Sequence, residues 1–220
     1  YEFLNSNKGI SGNSNEGLKL ATGDYIALLD HDDVIPEFAL YEIVKVINEN
    51  PDADFIYTDE DKILEEKENR ISPHFKQDFA IDTLRSYNYI CHFSIFKKEL
   101  MEKLKGFNSE FDGSQDYDLI LRAVEQANKI VHIPKILYNW RINKNSVASG
   151  AQAKPYAYVA AKKAILAHLE RQGIQGCKVE DSRIMGLYKV TYPVKGQPKI
   201  SIVIPNKDHK KDLKRCINSI

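Results

Sequence analysis

Gly23-Asp24-Tyr25-Ile26-Ala27-Leu28-Leu29-Asp30-His31-Asp32-Asp33 is an apolar run that ends in three carboxylates within four positions. The run is short, continuous and bounded by Gly23 and the acids, so it predicts a fully buried strand over Tyr25–Leu29. Carboxylates this close repel, and each drifts towards its protonated form unless a cation or several donors hold it ionised. A divalent metal is the economical explanation. The competing role for the acids is helix capping, which Ile35, the residue before Pro36, leaves largely unfilled.

Outward from this stretch the chain alternates strand-like and helix-like segments, the pattern of an α/β fold. Asn5–Asn15 is a loop rich in Asn, Ser and Gly, leading into a helix around Asn15–Ala21. Its Asn7, Gly9, Ser11 and Asn15 either face a ligand or serve as ordinary turn and cap residues. Tyr1–Leu4 reads as the tail of a strand. Pro36 suits the first turn of a helix with Leu40, Ile43, Val44 and Ile47 inward. Asp54–Tyr57 reads as a second short strand, with Asp59 and Asp61 at its end either beside the first acids or in a hydrogen-bonded turn. Glu65–Arg70 reads as a solvated loop. Ser86–Phe96 is loop and strand, and its His92 reads as a core or supporting histidine rather than a ligand.

A polar loop from Gly106 to Ser114 precedes a helix with Tyr117, Ile120, Leu121 and Val124 on one face. Asp116 lies in its first turn, where an acid either interacts with the helix dipole or points into a cleft as a general base. Ile130–Pro134 and Ile136–Trp140 read as two strands. Arg141, at the end of the second, is placed to pair with phosphate or with one of the many acids; a polar loop with Ser146 follows. Pro155 opens a helix with Tyr158, Ala161, Ile165 and Leu169 inward, stopped by Gly173. Cys177–Val194 suggests a hairpin or linker, Lys199–Pro205 a buried strand, and Asp212–Ile220 a helix.

Composition narrows the partners. The chain has 220 residues, 43% of them apolar, and balances 31 basic against 31 acidic residues. That is enough to bury a core and leaves no global field favouring nucleic acid. The cysteines Cys91, Cys177 and Cys216 form no CxxC pair, which argues against a disulfide framework or zinc site and for a reducing compartment. No apolar run reaches the ~20 residues of a membrane span.

With these residues placed, the chain resembles the family 2 glycosyltransferases of GT-A fold, particularly tandem-domain bacterial proteins that build surface polysaccharides. Asn7-Lys8-Gly9-Ile10-Ser11 with Asn15-Glu16-Gly17 is similar to the family's loop and helix before its metal strand. Gly23–Asp33 is similar to its DxD strand, Gly113-Ser114-Gln115-Asp116-Tyr117-Asp118-Leu119 to its acceptor-side acidic motif, and Leu137-Tyr138-Asn139-Trp140-Arg141 to its later motif. Three departures stand out: Asn13-Ser14-Asn15 where the family often has Ala-Arg-Asn, Gln115 where Glu is frequent, and Asn139 where His is.

The resemblance implies a three-layer sandwich around a mixed, mainly parallel sheet, incomplete at its N-terminal, nucleotide-base half. It implies a transferase domain over 1–150 lacking its first strand–helix unit, a helix and linker over 151–197, and the opening strand and partial helix of a second such domain over 198–220. It implies inverting transfer from a nucleotide-diphosphate sugar to a saccharide or lipid-linked acceptor, with Mg²⁺ or Mn²⁺ held by Asp30 and Asp32. The donor side would comprise Asn7, Gly9, Ser11, Asn15, Asp30 and Arg141, the acceptor side Gln115, Asp118 and Trp140, and Asp116 would be the base. Localisation would be cytoplasmic, extending to peripheral association with the inner face of the plasma membrane. The rival readings are a non-catalytic binding or assembly segment and a sugar nucleotidyltransferase.

Overall fold

The computed structural model describes residues 1–64, 69–142 and 155–220. The middle of the charged segment, the expected domain boundary at 150 and the loop with Ser146 lie outside them. Among the described residues five strands form one sheet: β1 (Tyr25–Ala27), β2 (Phe55–Leu64), β3 (Asn69–His74), β4 (Ser94–Lys97) and β5 (Ile130–Ile142). The order is β1-β4-β2-β3, with β5 also on β2. β4 is antiparallel to both β1 and β2, and β5 is parallel to β2, so β1, β2 and β5 share one direction.

Helices cover both faces. Phe55 and Tyr57 of β2 and Phe96 of β4 join the core formed with α3 (Ile81–Ser86), α4 (Lys98–Leu104), α5 (Gln115–Gln126) and α6 (Pro155–Arg171). Ile56 and Ile95, one residue over, face the opposite layer with Leu137, Tyr138 and Ala39 and Ile43 of α2 (Ala39–Glu49). This period-2 division is what a sheet clad on both faces requires, and it gives the expected three-layer α/β sandwich.

Several elements differ from the sequence expectations. β1 is three residues long, half-buried rather than fully buried, and has a ladder partner on one side only among the described residues. β2 runs on through the acids to Leu64, so Asp59 and Asp61 sit in a strand and not in a turn. Asn69 and Arg70 belong to β3, not to a loop. The two expected strands after Ile130 are one, because the ladder slips from Thr58–Ile133 to Asp59–Ile136 and so passes over Pro134, which has no N–H to give.

The first helix, α1 (Gly9–Leu20), starts six residues early, where Asn7 Oδ1 accepts the Gly9 N–H at 2.9 Å. In α2 the inward stripe is Ala39, Ile43, Val46 and Ile47, leaving Leu40 and Val44 59% and 54% exposed; both stripes have helical spacing, and the sheet takes the first.

Tyr1–Leu4 and Lys199–Pro205 form no strand. Ile200 and Val203 are 82% and 89% exposed, since an apolar run without a ladder partner cannot form a sheet. The final helix, α7 (Lys210–Ile217), does form. β6 (Lys178–Asp181) and β7 (Tyr188–Thr191) make the expected hairpin, and Tyr188 packs into the main core. No helix among the described residues is long and apolar enough to cross a membrane.

Candidate active site

Strand direction gathers the chemistry at one end of the sheet. β1 runs towards Asp30 and β5 towards Arg141 in the same sense, and β4 runs against them, so the segment before it, Asn88–Phe93, arrives at that same end. Ligands in open α/β sheets bind outside such strand ends.

After β1 the chain makes a turn, closed by the Asp33 N–H donating to the Asp30 carbonyl at 3.1 Å. Three residues of β5 fasten this turn. The Tyr138 hydroxyl donates to Asp33 Oδ2 at 2.5 Å and accepts the Asp30 N–H at 3.3 Å. The Arg141 N–H donates to Asp33 Oδ1 at 2.8 Å, and Arg141 Nε donates to the Asp32 carbonyl at 2.9 Å. Val34 and Asn139 form an antiparallel bridge beside them. Asp33 is therefore the structural member of the acidic cluster: it is buried, and burial pushes its carboxyl up despite the Tyr138 and Arg141 bonds. The side chains of Asp30 and Asp32 are 60% and 37% exposed.

Asp116 lies in the first turn of α5, partly buried. Asn88 Nδ2 donates to its Oδ2 at 3.0 Å, while Asn88 Oδ1 accepts the Cys91 N–H at 3.1 Å. Burial raises the Asp116 carboxyl above the usual range; the charge of His92 opposes the rise and that of Asp30 adds to it. Asp30 and Asp116, 86 positions apart, thus share one electrostatic environment. His92 lies beside Asp30: its Nε2 is 3.9 Å from Asp30 Oδ2, its ring stacks on Tyr138 at 4.6 Å and meets Trp140 edge-on at 5.7 Å. Lys62 Nζ lies 5.5 Å from the Trp140 ring.

Other expected site residues are engaged within the fold. Ser11 is wholly buried and donates to Asp112. Asn15 exchanges two bonds with the Phe107 backbone, at 2.8 and 2.9 Å. Asn7 accepts from Gly9 and from Asn13 Nδ2. Gly9 has φ +76°, and a Cβ there would lie 3.1 Å from Asp112 Oδ2. Gln115 Oε1 accepts the Gly113 N–H.

Asp118, expected on the acceptor side, is fully buried instead: it pairs with Arg122 at 2.6 Å, one turn on, and Arg122 caps the Leu104 and Gly106 carbonyls. Asp59 and Asp61 are likewise internal, accepting from His132 and the Lys76 backbone, and from Arg70 and Asn139.

Sequence reasoning passed over Asn88 and the roles of Asp33 and Tyr138. Their signal is pairing between residues more than 25 positions apart, which no local pattern carries. In the sequence His92 reads only as a core or supporting residue.

The donor set suits a hard divalent cation. Asp30 and Asp32 offer carboxylate oxygens only, and Mg²⁺ or Mn²⁺ is commonly held by one or two carboxylates, with waters and substrate phosphates completing the shell. Among the described residues no group of three or more acid, His or Cys side chains forms a closed site.

Residues 1–105 match the family model described as Glycosyl transferase family 2. The chain is 42% identical over 220 residues to the uncharacterized protein y4gI of Sinorhizobium fredii, covering 99% of this chain and 24% of that protein. It is 35% identical over 207 residues to the O-antigen biosynthesis protein RfbC of Myxococcus xanthus, covering 94% of this chain and 16% of RfbC. The chain thus spans a quarter or less of these curated relatives. Among solved structures, S. aureus TarS 1-349 superposes with a TM-score of 0.56 at 18% identity, over 76% of this chain and 47% of that one; the same protein in complex with UDP gives 0.55. Fold, strand-end carboxylates and family match agree: the chain belongs to the family 2 glycosyltransferases.

Proposed function

We propose that this chain carries the donor and acceptor carboxylates of an inverting glycosyl transfer, from a nucleotide-diphosphate sugar to a saccharide or lipid-linked acceptor in surface polysaccharide synthesis. The observation that carries the reading is the division of labour at one end of the sheet: two exposed carboxylates, Asp30 and Asp32, on a turn pinned by β5, and one secluded carboxyl, Asp116, with raised proton affinity. The relationship to RfbC supports the polysaccharide context, and the TarS–UDP complex supports a nucleotide donor.

In this reading Asp30 and Asp32 hold Mg²⁺ or Mn²⁺, which when bound offsets the charge gathering on the departing diphosphate. Arg141, whose guanidinium already braces the acidic turn, stands at the donor side. Asp116 takes the proton of the acceptor hydroxyl as the oxygen attacks the anomeric carbon; a positioned carboxylate contributes about 10²- to 10⁴-fold. Burial favours this role, because a carboxylate that resists ionisation is a stronger base once ionised. Asn88 orients it, and the partly exposed Trp140 ring offers an apolar face to a sugar.

The test is calorimetric titration of UDP and GDP with Mn²⁺ into the protein, its Asp32→Asn variant and its Asp116→Asn variant. Binding lost in Asp32→Asn and kept in Asp116→Asn is expected. No binding at all, or binding indifferent to Asp32, would count for a non-catalytic assembly segment.

A further inference from the structure

Lys76 is buried, its side chain wholly inaccessible, and burial lowers its ammonium's proton affinity. Buried ammonium groups are costly unless several partners repay the lost hydration. Its partners converge on one short segment. Lys76 Nζ donates to the Ile90 carbonyl at 2.6 Å and to the His92 carbonyl, and lies 3.3 Å from Glu60 Oε2. Glu60 Oε2 in turn accepts the His92 N–H at 3.2 Å, while Glu60 Oε1 meets His74 Nδ1 at 3.4 Å.

His92 is therefore held by both of its backbone polar groups, each by one member of the same ion pair. The residue before it, Cys91, has φ +37°, a left-handed conformation that a residue with a Cβ adopts only when its surroundings impose it. Asn88 also grips Cys91 while holding Asp116.

We infer that the Lys76–Glu60 pair is a positioning device for the active site: it fixes the backbone of His92 so that the imidazole lies on Tyr138 and against Asp30, in register with the Asn88-held Asp116. Neither Lys76 nor Glu60 touches substrate. They act through His92, which lies against Asp30 and follows Cys91, the residue tied to Asp116 through Asn88. The structural alternative is that the pair only fills a polar gap between β2 and the segment before β4, and it predicts lower stability with an unchanged site. The kinetic part of the inference rests on the transferase reading above; the geometric part does not.

The experiment compares wild type with Lys76→Met, His92→Ala and the double variant, with Glu60→Gln as a second probe should Lys76→Met fail to fold. Two readouts are taken below each variant's unfolding transition. The first is the imidazole NMR resonance of His92, identified as the one of six histidines lost in His92→Ala. It is expected to move in Lys76→Met, and in Glu60→Gln, further than the histidines remote from the pair.

The second readout is release of nucleoside diphosphate from UDP-glucose, UDP-N-acetylglucosamine or GDP-mannose, whichever wild type turns over. Lys76→Met is expected to lower kcat about 10- to 100-fold with KM nearly unchanged, the signature of a misplaced group. In the His92→Ala background the same substitution should change kcat less than about 2-fold, because residues acting as a unit are not additive. An unmoved His92 resonance overturns the inference whatever the activity, as does a Lys76→Met loss of equal size in both backgrounds. A wild type that neither binds nor turns over any donor overturns the transferase reading and leaves the resonance to judge the positioning role.

Discussion

Replacing Glu125 by alanine removes the carboxylate that joins α5 to α6. Glu125 accepts the His168 Nδ1–H at 2.7 Å and a forked contact from Arg171 at 2.8 and 3.1 Å. Its side chain is 6% exposed, that of His168 2% and that of Arg171 34%. His168 Nε2 accepts from Arg85 at 3.2 Å, which leaves its Nδ1 proton for Glu125.

The alanine variant strands that proton in the core, at a cost of about 1.5–3 kcal/mol for a bond to a charged acceptor. Arg171 can turn to water, so its pair adds about 0–1 kcal/mol. A total of ~3 kcal/mol corresponds to a Tm about 6–12 °C lower for a chain of this size. Glu125→Gln keeps an acceptor for His168 and should cost about 1 kcal/mol.

The pH dependence carries a sign. Burial alone would raise the Glu125 carboxyl, but the bonds from His168 and Arg171 outweigh it and hold it below its ordinary value. A lowered carboxyl contributes stability that is present above its unfolded pKa of about 4.3 and is lost as pH falls through the folded value. Denaturant unfolding at pH 7 and at pH 3 should therefore show the gap between wild type and Glu125→Gln closing at the acid end. Equal costs for Ala and Gln at neutral pH, or a gap that widens in acid, would refute the reasoning that His168 and Arg171 hold Glu125 ionised in the fold.

Two further substitutions separate structural from binding roles. Tyr138→Phe removes the hydroxyl that ties Asp33 to the Asp30 N–H; unfolding should show a loss of about 1–3 kcal/mol, and UDP·Mn²⁺ calorimetry a weaker affinity because the acidic turn is no longer pinned. Asn15→Ala deletes two bonds to the Phe107 backbone and should lower stability by about 1–3 kcal/mol while leaving nucleotide affinity unchanged in calorimetry; weaker nucleotide binding at constant Tm would instead restore Asn15 to the donor site.

The helices and the acid-tipped strand were legible because their signals are local: spacing in α5 and α6, a Gly–apolar–acid sequence at β1. What was illegible depended on partners far away in the chain. Asp59 and Asp61 read either as strand-end acids beside the first cluster or as turn residues because acids rarely line a buried strand, yet the acids of Asp59-Glu60-Asp61 find their donors 9 to 78 residues later, in Arg70, Lys76, His92, His132 or Asn139. Leu40 and Val44 fit a helix stripe as well as Ile43 and Val46 do, and only the docked sheet decides between them. Asp118 reads as a site acid beside Asp116, but a rotation of two positions along α5 turns it into the core. Gly106 gave no local hint of its role either: its φ is +70°, and a Cβ there would lie 2.4 Å from Asn15 Oδ1, so the close passage of α1 across that loop depends on the missing side chain.

The fastening of the acidic turn by β5 makes the geometry of Asp30 and Asp32 depend on a segment far along the chain. The bonds from Tyr138 and Arg141 to Asp33 close sequence separations of 105 and 108 residues. Contacts of such range pay their loop-closure entropy before they return any stability, so they form late. A chain that ends before Tyr138 cannot make these bonds, so truncation there is expected to leave the Asp30–Asp33 turn with only its own Asp33 N–H to Asp30 carbonyl bond.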